Sequence, residues 1–427
     1  MKPRFYVPKC LQQFQGFFVK DIKEWSSEHR VEVHLEHDPE SERYCRKCGC
    51  QLGAYHDQYR IKAKHLKMMG WQVEIVFYRE KRKCSSCKAV RSEHIEWLCP
   101  ASPHVTMDLA WWLNRLTEET SVLATDRLEG IGRATCYKVD KYILRRLLQG
   151  YKLPKVTRIS VDEVYTRGPR QLKPGETRDD LFLTIVIDLK TKKVIWVSKS
   201  RKKEALDLFF AVIGKEACES IQVVATDQHE GYGASIKEHC RHATHVWDRF
   251  HLVQRFNEAL NEDRKDELNR SMPKGYSESY LKGKFRFVYL TKVSERTKAQ
   301  QRHIDEISRD NLKIAKMEII KEHFHRMFEE PDKETAKIMM SEIYQWSMDS
   351  GAQNIFNWVK KIRNKKRFWS YWDFRVTTSI SEGVNRVIKG LKWQAYGYRD
   401  MDYFALKIHQ KCGYLNSKYH GSLLPAI

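Results

Sequence analysis

Apolar and polar positions alternate most clearly between residues 156 and 260. VTRISVDEV and LFLTIVIDL read as two strands, and a KTKK turn leads into VIWVSKS as a third. The spacing then changes to a helical repeat in KKEALDLFFAVIG. SIQVVATD is a fourth strand, GYGASIKEHC a helix, ATHVWD a fifth strand and HLVQRFNEAL a helix. Three strands in a meander, followed by alternating helix and strand, predict an α/β sheet covered by helices.

That order predicts an RNase H-like core, whose first part covers residues 153–260. Residues 261–370 break the order. They are charged and helical in pattern, with Trp346, Trp358 and Trp369 near the end, and predict an all-α insertion. The second part of the core is expected over 371–427. There SISEGVNRVIKGLKWQAYG forms an amphipathic helix. Val384, Val387, Ile388 and Leu391 make its apolar stripe, and Glu382, Asn385, Arg386 and Lys389 fall opposite. Upstream, MDLAWWLNRLTEE, SVLATDRLEGI and ATCYKVDKYILRRLL predict three helices, the last with Val139, Ile143 and Leu147 on one face. They define a helix-turn-helix DNA-binding domain at 105–152, which closes on a YKLP linker. Arg133, Thr135, Tyr137 and Lys138 stand near the start of the third helix, where base contacts are made. Residues 1–104 remain as a small cysteine-bearing domain.

Charge narrows the partner. Lys and Arg number 77 against 55 Asp and Glu, a net +22 spread through RKKE, KKIRNKKR and REKRK. Such an excess favours a polyanion, of which nucleic acid is the commonest. No run approaches the ~18 apolar residues of a membrane span. MKPRFYVPKC lacks the apolar core of a signal peptide. A cytoplasmic, nucleoid-associated protein is expected, with double-stranded DNA and further copies of itself as partners.

Three acids carry the candidate chemistry. Asp162 follows Ile159 and Val161 on the first strand, Asp227 ends the fourth, and Glu382 lies on the amphipathic helix. Phosphodiester cleavage must stabilise an attacking and a leaving oxygen in line. Carboxylates holding two metals roughly 3.5–4 Å apart do this, and hard oxygen ligands suit Mg²⁺ or Mn²⁺. Two of the acids also have a plainer reading, a strand-end turn for Asp162 and an exposed salt-bridged face for Glu382. Asp188 competes with Asp227 but is followed by a hairpin turn. Asp248 and His251, in VWDRFH, are expected to support the site or start a helix. Asn385, Arg386 and Lys389 join them as supporting residues.

Cys45-x2-Cys48 and Cys84-x2-Cys87 are two CxxC pairs, the pattern of one closed tetrahedral zinc site. The intervening residues 49–83 exceed the usual interval, which a β-rich insert accommodates. Cys50 and Cys99 are possible substitutes.

With these residues assembled, the chain resembles the ISL3 family of insertion-sequence transposases, which are DDE enzymes. The likeness rests on the paired CxxC motifs, the three-helix stretch, SVDE, the Asp after strand four, DRFH, and the S-x-E-G-x-N-x-x-I-K-x-L-K-x-x-A-Y-G-Y segment. It implies Asp162, Asp227 and Glu382 as a metal-binding catalytic triad, in an RNase H-like fold interrupted before Glu382. It also implies a transposase that binds its element's terminal inverted repeats, cleaves a strand and transfers it. Two rivals keep the same motifs: a nuclease without strand transfer, and a catalytically silent zinc and helix-turn-helix DNA-binding protein.

Overall fold

The computed structural model describes residues 14–271, 284–376 and 379–416 of the 427. The MKPRFYVPKC segment lies outside them. The chain divides into two units: one holds the segments up to Lys152 and from Val387 onward, the other Leu153–Arg386.

The first unit begins with five strands: β1 (Phe17–Trp25), β2 (Arg30–His37), β3 (Tyr55–Lys64), β4 (Gln72–Cys84) and β5 (Ala89–Ser92). Their order is β1-β2-β4-β3, with β5 on β4. Only β2 and β4 pair in parallel; the other pairs are antiparallel. Val33, Ile61, Ile75 and Phe77 bury one face, and Trp97 meets Phe77 edge-on at 5.0 Å.

Three helices follow: α1 (Met107–Glu119), α2 (Val122–Glu129) and α3 (Arg133–Gly150). Side chains cap the first two, with Thr106 accepting from Leu109 N and Ser121 from Ala124 N. Leu109, Leu113, Val139, Ile143 and Leu147 form their shared core. Tyr403 and Leu406 of the C-terminal helix (Met401–Cys412) complete that core. The sequence pattern assigns residues 371–427 to the catalytic core, whereas the described residues from Val387 onward belong to the N-terminal unit.

A buried polar network reinforces the union. Asp140 is fully buried and accepts from Asn114 Nδ2 (2.7 Å), Thr117 Oγ1 (2.7 Å) and Tyr403 Oη (2.6 Å). Lys407 Nζ lies 3.4 Å from the same carboxylate and donates to Thr117 O at 2.6 Å. A buried charge persists only when paired and hydrogen-bonded in this way.

The second unit holds β6 (Arg158–Tyr165), β7 (Phe182–Asp188), β8 (Lys193–Lys199), α4 (Lys203–Ile213), α5 (Lys215–Ser220), β9 (Val223–Thr226), α6 (Glu230–His239), β10 (Thr244–Trp247) and α7 (Arg249–Ser271). The sheet order is β10-β9-β6-β7-β8. β6, β7 and β8 are an antiparallel meander, while β6, β9 and β10 run parallel. Ile159 to Asp162 are all buried, so β6 is covered on both faces.

The helical insertion comprises α8 (Lys284–Leu290), α9 (Lys298–Asp310), α10 (Leu312–Met327), α11 (Lys333–Asp349), α12 (Gln353–Ile362) and α13 (Lys366–Phe374). Among the described residues it contains no strand. The boundaries expected at 260/261 and 370/371 fall inside α7 and α13. The reason is continuity: α7 leaves the sheet and enters the insertion without a break. Leu252, Phe256 and Leu260 of α7 share one core with Val223, Ala225 and Val246 of the sheet and Phe324 of α10. Phe256 and Phe324 stack at 4.0 Å. Asp263 of α7 caps α12, accepting from Asn354 N and Ile355 N at 2.9 Å each. After α13 comes α14 (Ser379–Gln394), which contributes residues to both units. Among the described residues no helix is long and apolar enough to cross a membrane.

Candidate active site and cysteine cluster

Strand register brings the acids into line. Val161 of β6 pairs with Thr226 of β9, and Thr226 pairs with Trp247 of β10. One step further along each strand come Asp162, Asp227 and Asp248. The three form a row across adjacent parallel strands, and residues in one row share a face. Asp162 and Asp248 are buried, and Asp227 is half-buried.

Nearby backbone holds each carboxylate. Asp162 Oδ1 accepts from Glu163 N at 2.8 Å, Asp227 Oδ1 from His229 N at 2.9 Å, and Asp248 Oδ1 from Phe250 N at 2.7 Å. The last contact makes Asp248 a cap for the start of α7. One turn on, His251 Nε2 lies 3.5 Å from Asp162 Oδ1 and 3.9 Å from Asp248 Oδ2. Burial disfavours its charge. The bond to Asp162 and the charges of Asp248, Asp162 and Asp227 outweigh burial and raise its pKa to about 9.

From α14, Asn385 Nδ2 donates to Asp162 Oδ2 at 2.8 Å. Ser381, also buried, meets Ser160 of β6 at 3.0 Å. Glu382 lies between these two docking contacts, but its carboxylate takes Arg386 Nη2 at 2.6 Å, the i,i+4 pair of an exposed helix face. Its side chain is 40% exposed. Asp162, Asp227 and Glu382 do not form a group whose ligand atoms all lie within 4.8 Å. Lys389 is exposed.

Glu163, adjacent to Asp162, is turned to Arg201, whose Nη1 lies 2.8 Å away. Burial pushes the Glu163 pKa up and the Asp227 charge adds to the rise, with Arg201 opposing both. Asp188 accepts from Lys190 N, Thr191 N and Thr191 Oγ1 and so closes the β7–β8 turn. Sequence reasoning missed Asp248 as a third member of the row. Its signal was present, because the fourth and fifth strands both end in Asp, as VVATD and HVWD. Ser160, Ser381 and Arg201 carried no comparable signal.

The four cysteines of the CxxC pairs converge. Cys45, Cys48, Cys84 and Cys87 have sulfurs all within 4.8 Å of one another. Cys45 and Cys87 stand 3.9 Å apart, and Cys48 and Cys84 3.5 Å. Four thiolates at the usual Zn–S length would be separated by roughly 3.8 Å. Backbone N–H groups of Lys47 and Cys87 point at the sulfurs of Cys45 and Cys84, both at 3.4 Å. The cluster is compatible with zinc. β3 and nearly all of β4 fill the long interval between the pairs. Cys50 lies outside the cluster, and Cys99 is buried in the helical core.

At the start of α3, Arg133 and Lys138 are exposed and Thr135 is half-buried. Tyr137 is half-buried and engaged by the protein itself. Its hydroxyl donates to Asp400, and its ring meets Tyr403 at 4.7 Å.

Residues 170–408 match the family model for ISL3 transposases, described as transposase. The match covers Asp227, Asp248, His251 and Glu382 and begins after Asp162. The chain belongs to the ISL3 transposase family. It is 24% identical over 403 residues to the transposase for insertion sequence element IS1001 of Bordetella parapertussis, covering 94% of this chain and 96% of that one. It is 29% identical over 119 residues to the transposase for insertion sequence element IS1557 of Mycobacterium tuberculosis, covering 28% of this chain and 24% of that one.

Proposed function

We propose that this chain binds the terminal inverted repeats of its insertion sequence and cuts and joins DNA strands at Asp162, Asp227 and Glu382. The observation that carries the reading is the register row of Asp162, Asp227 and Asp248, with Asn385 of the Glu382 helix hydrogen-bonded to Asp162. The order β10-β9-β6-β7-β8, with three parallel and three antiparallel strands sharing β6, supports an RNase H-like core.

The donor set fits divalent Mg²⁺ or Mn²⁺. It is made of hard oxygens. Among the described residues, Asn385 Oδ1 is buried beside Asp162 without a hydrogen-bond partner, and His251 Nε2 stands 3.5 Å from Asp162 Oδ1. Asp162, Asp227 and Glu382 would hold two ions, with Glu382 exchanging Arg386 for metal. When bound, such ions stabilise the attacking and leaving oxygens of in-line phosphoryl transfer. Asn385 orients one oxygen of Asp162, and His251, braced by Asp248, orients the other. Arg386 and Lys389 supply positive charge for phosphate.

In the first step a water oxygen attacks phosphorus, and the P–O3′ bond breaks. The freed 3′ oxygen takes up a proton. In the second step that 3′-OH attacks a target phosphodiester, whose own P–O3′ bond breaks and releases a target 3′-OH. No bond to protein forms, so no nucleophilic side chain is needed. The cysteine cluster would hold one structural zinc, and Arg133, Thr135 and Lys138 would face the terminal repeat. Joining two ends calls for a homo-oligomer on DNA.

Cleavage of a labelled end fragment with Mg²⁺ tests the reading. Asp162→Asn, Asp227→Asn and Glu382→Gln should each abolish cutting and leave end binding within about twofold, because affinity comes mainly from phosphate contacts. Near-wild-type cutting by any one variant removes that residue from the site. Cutting without joined products would favour a nuclease, and binding without cutting a silent DNA-binding protein.

A further inference from the structure

The last turn of α14 and the turn after it display two large aromatic side chains to solvent. Trp393 is 80% exposed and Tyr396 95%. Tyr396 also adopts a left-handed backbone, φ 52°, ahead of Gly397 at φ 94°. That conformation is uncommon for a bulky residue and persists only where its surroundings enforce it. Here they do. Gly397 N donates to Lys392 O at 2.8 Å and Tyr396 N to Trp393 O at 3.1 Å. Leu391 is buried before the turn, and Tyr398 stacks on Phe404 at 4.4 Å after it. The segment is pinned on both sides, yet its two largest aromatics remain uncovered. Exposed cations flank them, Lys389 one turn before Trp393 and Arg399 just past the turn.

We propose that Trp393 and Tyr396 form a stacking platform for unpaired nucleotides of DNA, with Lys389 and Arg399 neutralising the adjoining phosphates. This rests on the DNA-processing reading above and adds what that reading lacks, a site that takes bases out of the duplex. The occupant follows from the chemistry. Exposed cations within a few residues of exposed aromatic side chains fit an anionic backbone carrying flat rings, and a base stacked inside a duplex has no face to offer. An unpaired nucleotide satisfies both groups. The chain's net charge of +22 favours the same polyanion.

The test uses the full chain without divalent cations, so that no cutting occurs. Two end fragments are compared, one fully paired and one with a short single-stranded overhang carrying 2-aminopurine. Wild-type protein should bind both and quench the 2-aminopurine. The double variant Trp393→Ala/Tyr396→Ala should bind the overhang roughly five- to hundredfold more weakly and lose the quenching. Its affinity for the paired fragment should stay within about twofold, and Trp393→Phe should retain most of the overhang preference. Equal losses on both fragments, or no loss on the overhang, overturn the platform. Loss of self-association in sedimentation with overhang binding intact overturns it in favour of a second copy of the chain. Mg²⁺-dependent cutting of the paired fragment is measured alongside. If cutting needs Asp162 but the overhang confers no advantage, the platform fails and the catalytic reading stands. If wild-type protein binds neither fragment, both fail.

Discussion

Asn385 Nδ2 donates to Asp162 Oδ2 at 2.8 Å, across a sequence separation of 223 residues. The bond ties a helix beyond the insertion to the first strand of the sheet. With the Ser160–Ser381 contact one turn earlier, it docks the helix on both sides of Glu382, whose carboxylate pairs with Arg386.

Asn385 should therefore act as a positioning residue. Asn385→Ala is expected to slow Mg²⁺-dependent cutting about 10- to 100-fold, the usual cost of losing a partner that orients a ligand. It should also raise the Mg²⁺ concentration giving half-maximal rate. A purely structural role would lower thermal stability and leave the Mg²⁺ midpoint in place, so single-turnover rates over a Mg²⁺ series separate the two.

The cysteine cluster should bind about one zinc per chain. Cys45→Ser or Cys84→Ser is expected to abolish zinc and loosen the β3–β4 region, with weaker end recognition as the consequence. Elemental analysis of purified protein checks this. Wild-type protein without zinc, or both variants with a full complement, would count against it.

Lys407 and Asp140 should couple the two sequence-distant parts of the first unit. Lys407→Met leaves the Asp140 charge buried with neutral donors only, and is expected to cost about 3–5 kcal/mol. Adding Asp140→Asn should recover part of that loss. Denaturant unfolding followed by fluorescence tests it, and additive losses in the double variant would disprove the coupling.

Asp400 gives a pH signature. Partial burial opposes its charge, but bonds from Lys141 and Tyr137 and from the Tyr403 N–H hold its pKa well below the usual carboxylate range. A depressed folded pKa adds stability above the unfolded value near ~3.9, and that stability is lost as pH falls through the folded value. Asp400→Asn should be less stable than wild type at pH 7 by about 1–2 kcal/mol after solvent screening. The gap should narrow below about pH 4. Thermal melts at pH 7 and pH 3 measure it; a constant gap would contradict the assignment.

End recognition is best probed by point changes. Removing residues 1 to 150 would strip Leu113, Val139 and Ile143 from Tyr403 and Leu406, so the deletion exposes a core rather than isolating a catalytic part. Arg133→Ala/Lys138→Ala keeps that core. It should reduce the preference for end DNA over random DNA at higher salt, where shared phosphate contacts weaken. Binding curves on both DNAs at two salt concentrations decide it, and an unchanged preference would place recognition elsewhere.

Much of this was legible because local pattern and tertiary role agree. The strands of the second unit have strong apolar runs, and Asp162 and Asp227 stand at positions where such runs present ligands. The CxxC pairs were legible because thiolate geometry constrains spacing. The Glu382–Arg386 pair was legible too, as the plainer reading of E-x3-R. What failed was long range. The tail follows the Glu382 helix in sequence, so local pattern alone groups it with the core. Its true partners, Asp140 and Thr117, are more than 250 residues away and carry no mark of the pairing. Tyr137 is a related case, since only the fold reveals that Asp400 takes its hydroxyl.

The split first unit also sets a timetable for synthesis. Its N-terminal helices leave the ribosome with Leu113, Val139 and Ile143 still lacking the cover of Tyr403 and Leu406. At roughly 5–20 residues per second, the covering helix follows on the order of ten to fifty seconds later. A message broken before codon 401 would yield a protein whose front end never closes, so damage late in the reading frame is felt in the part translated earliest.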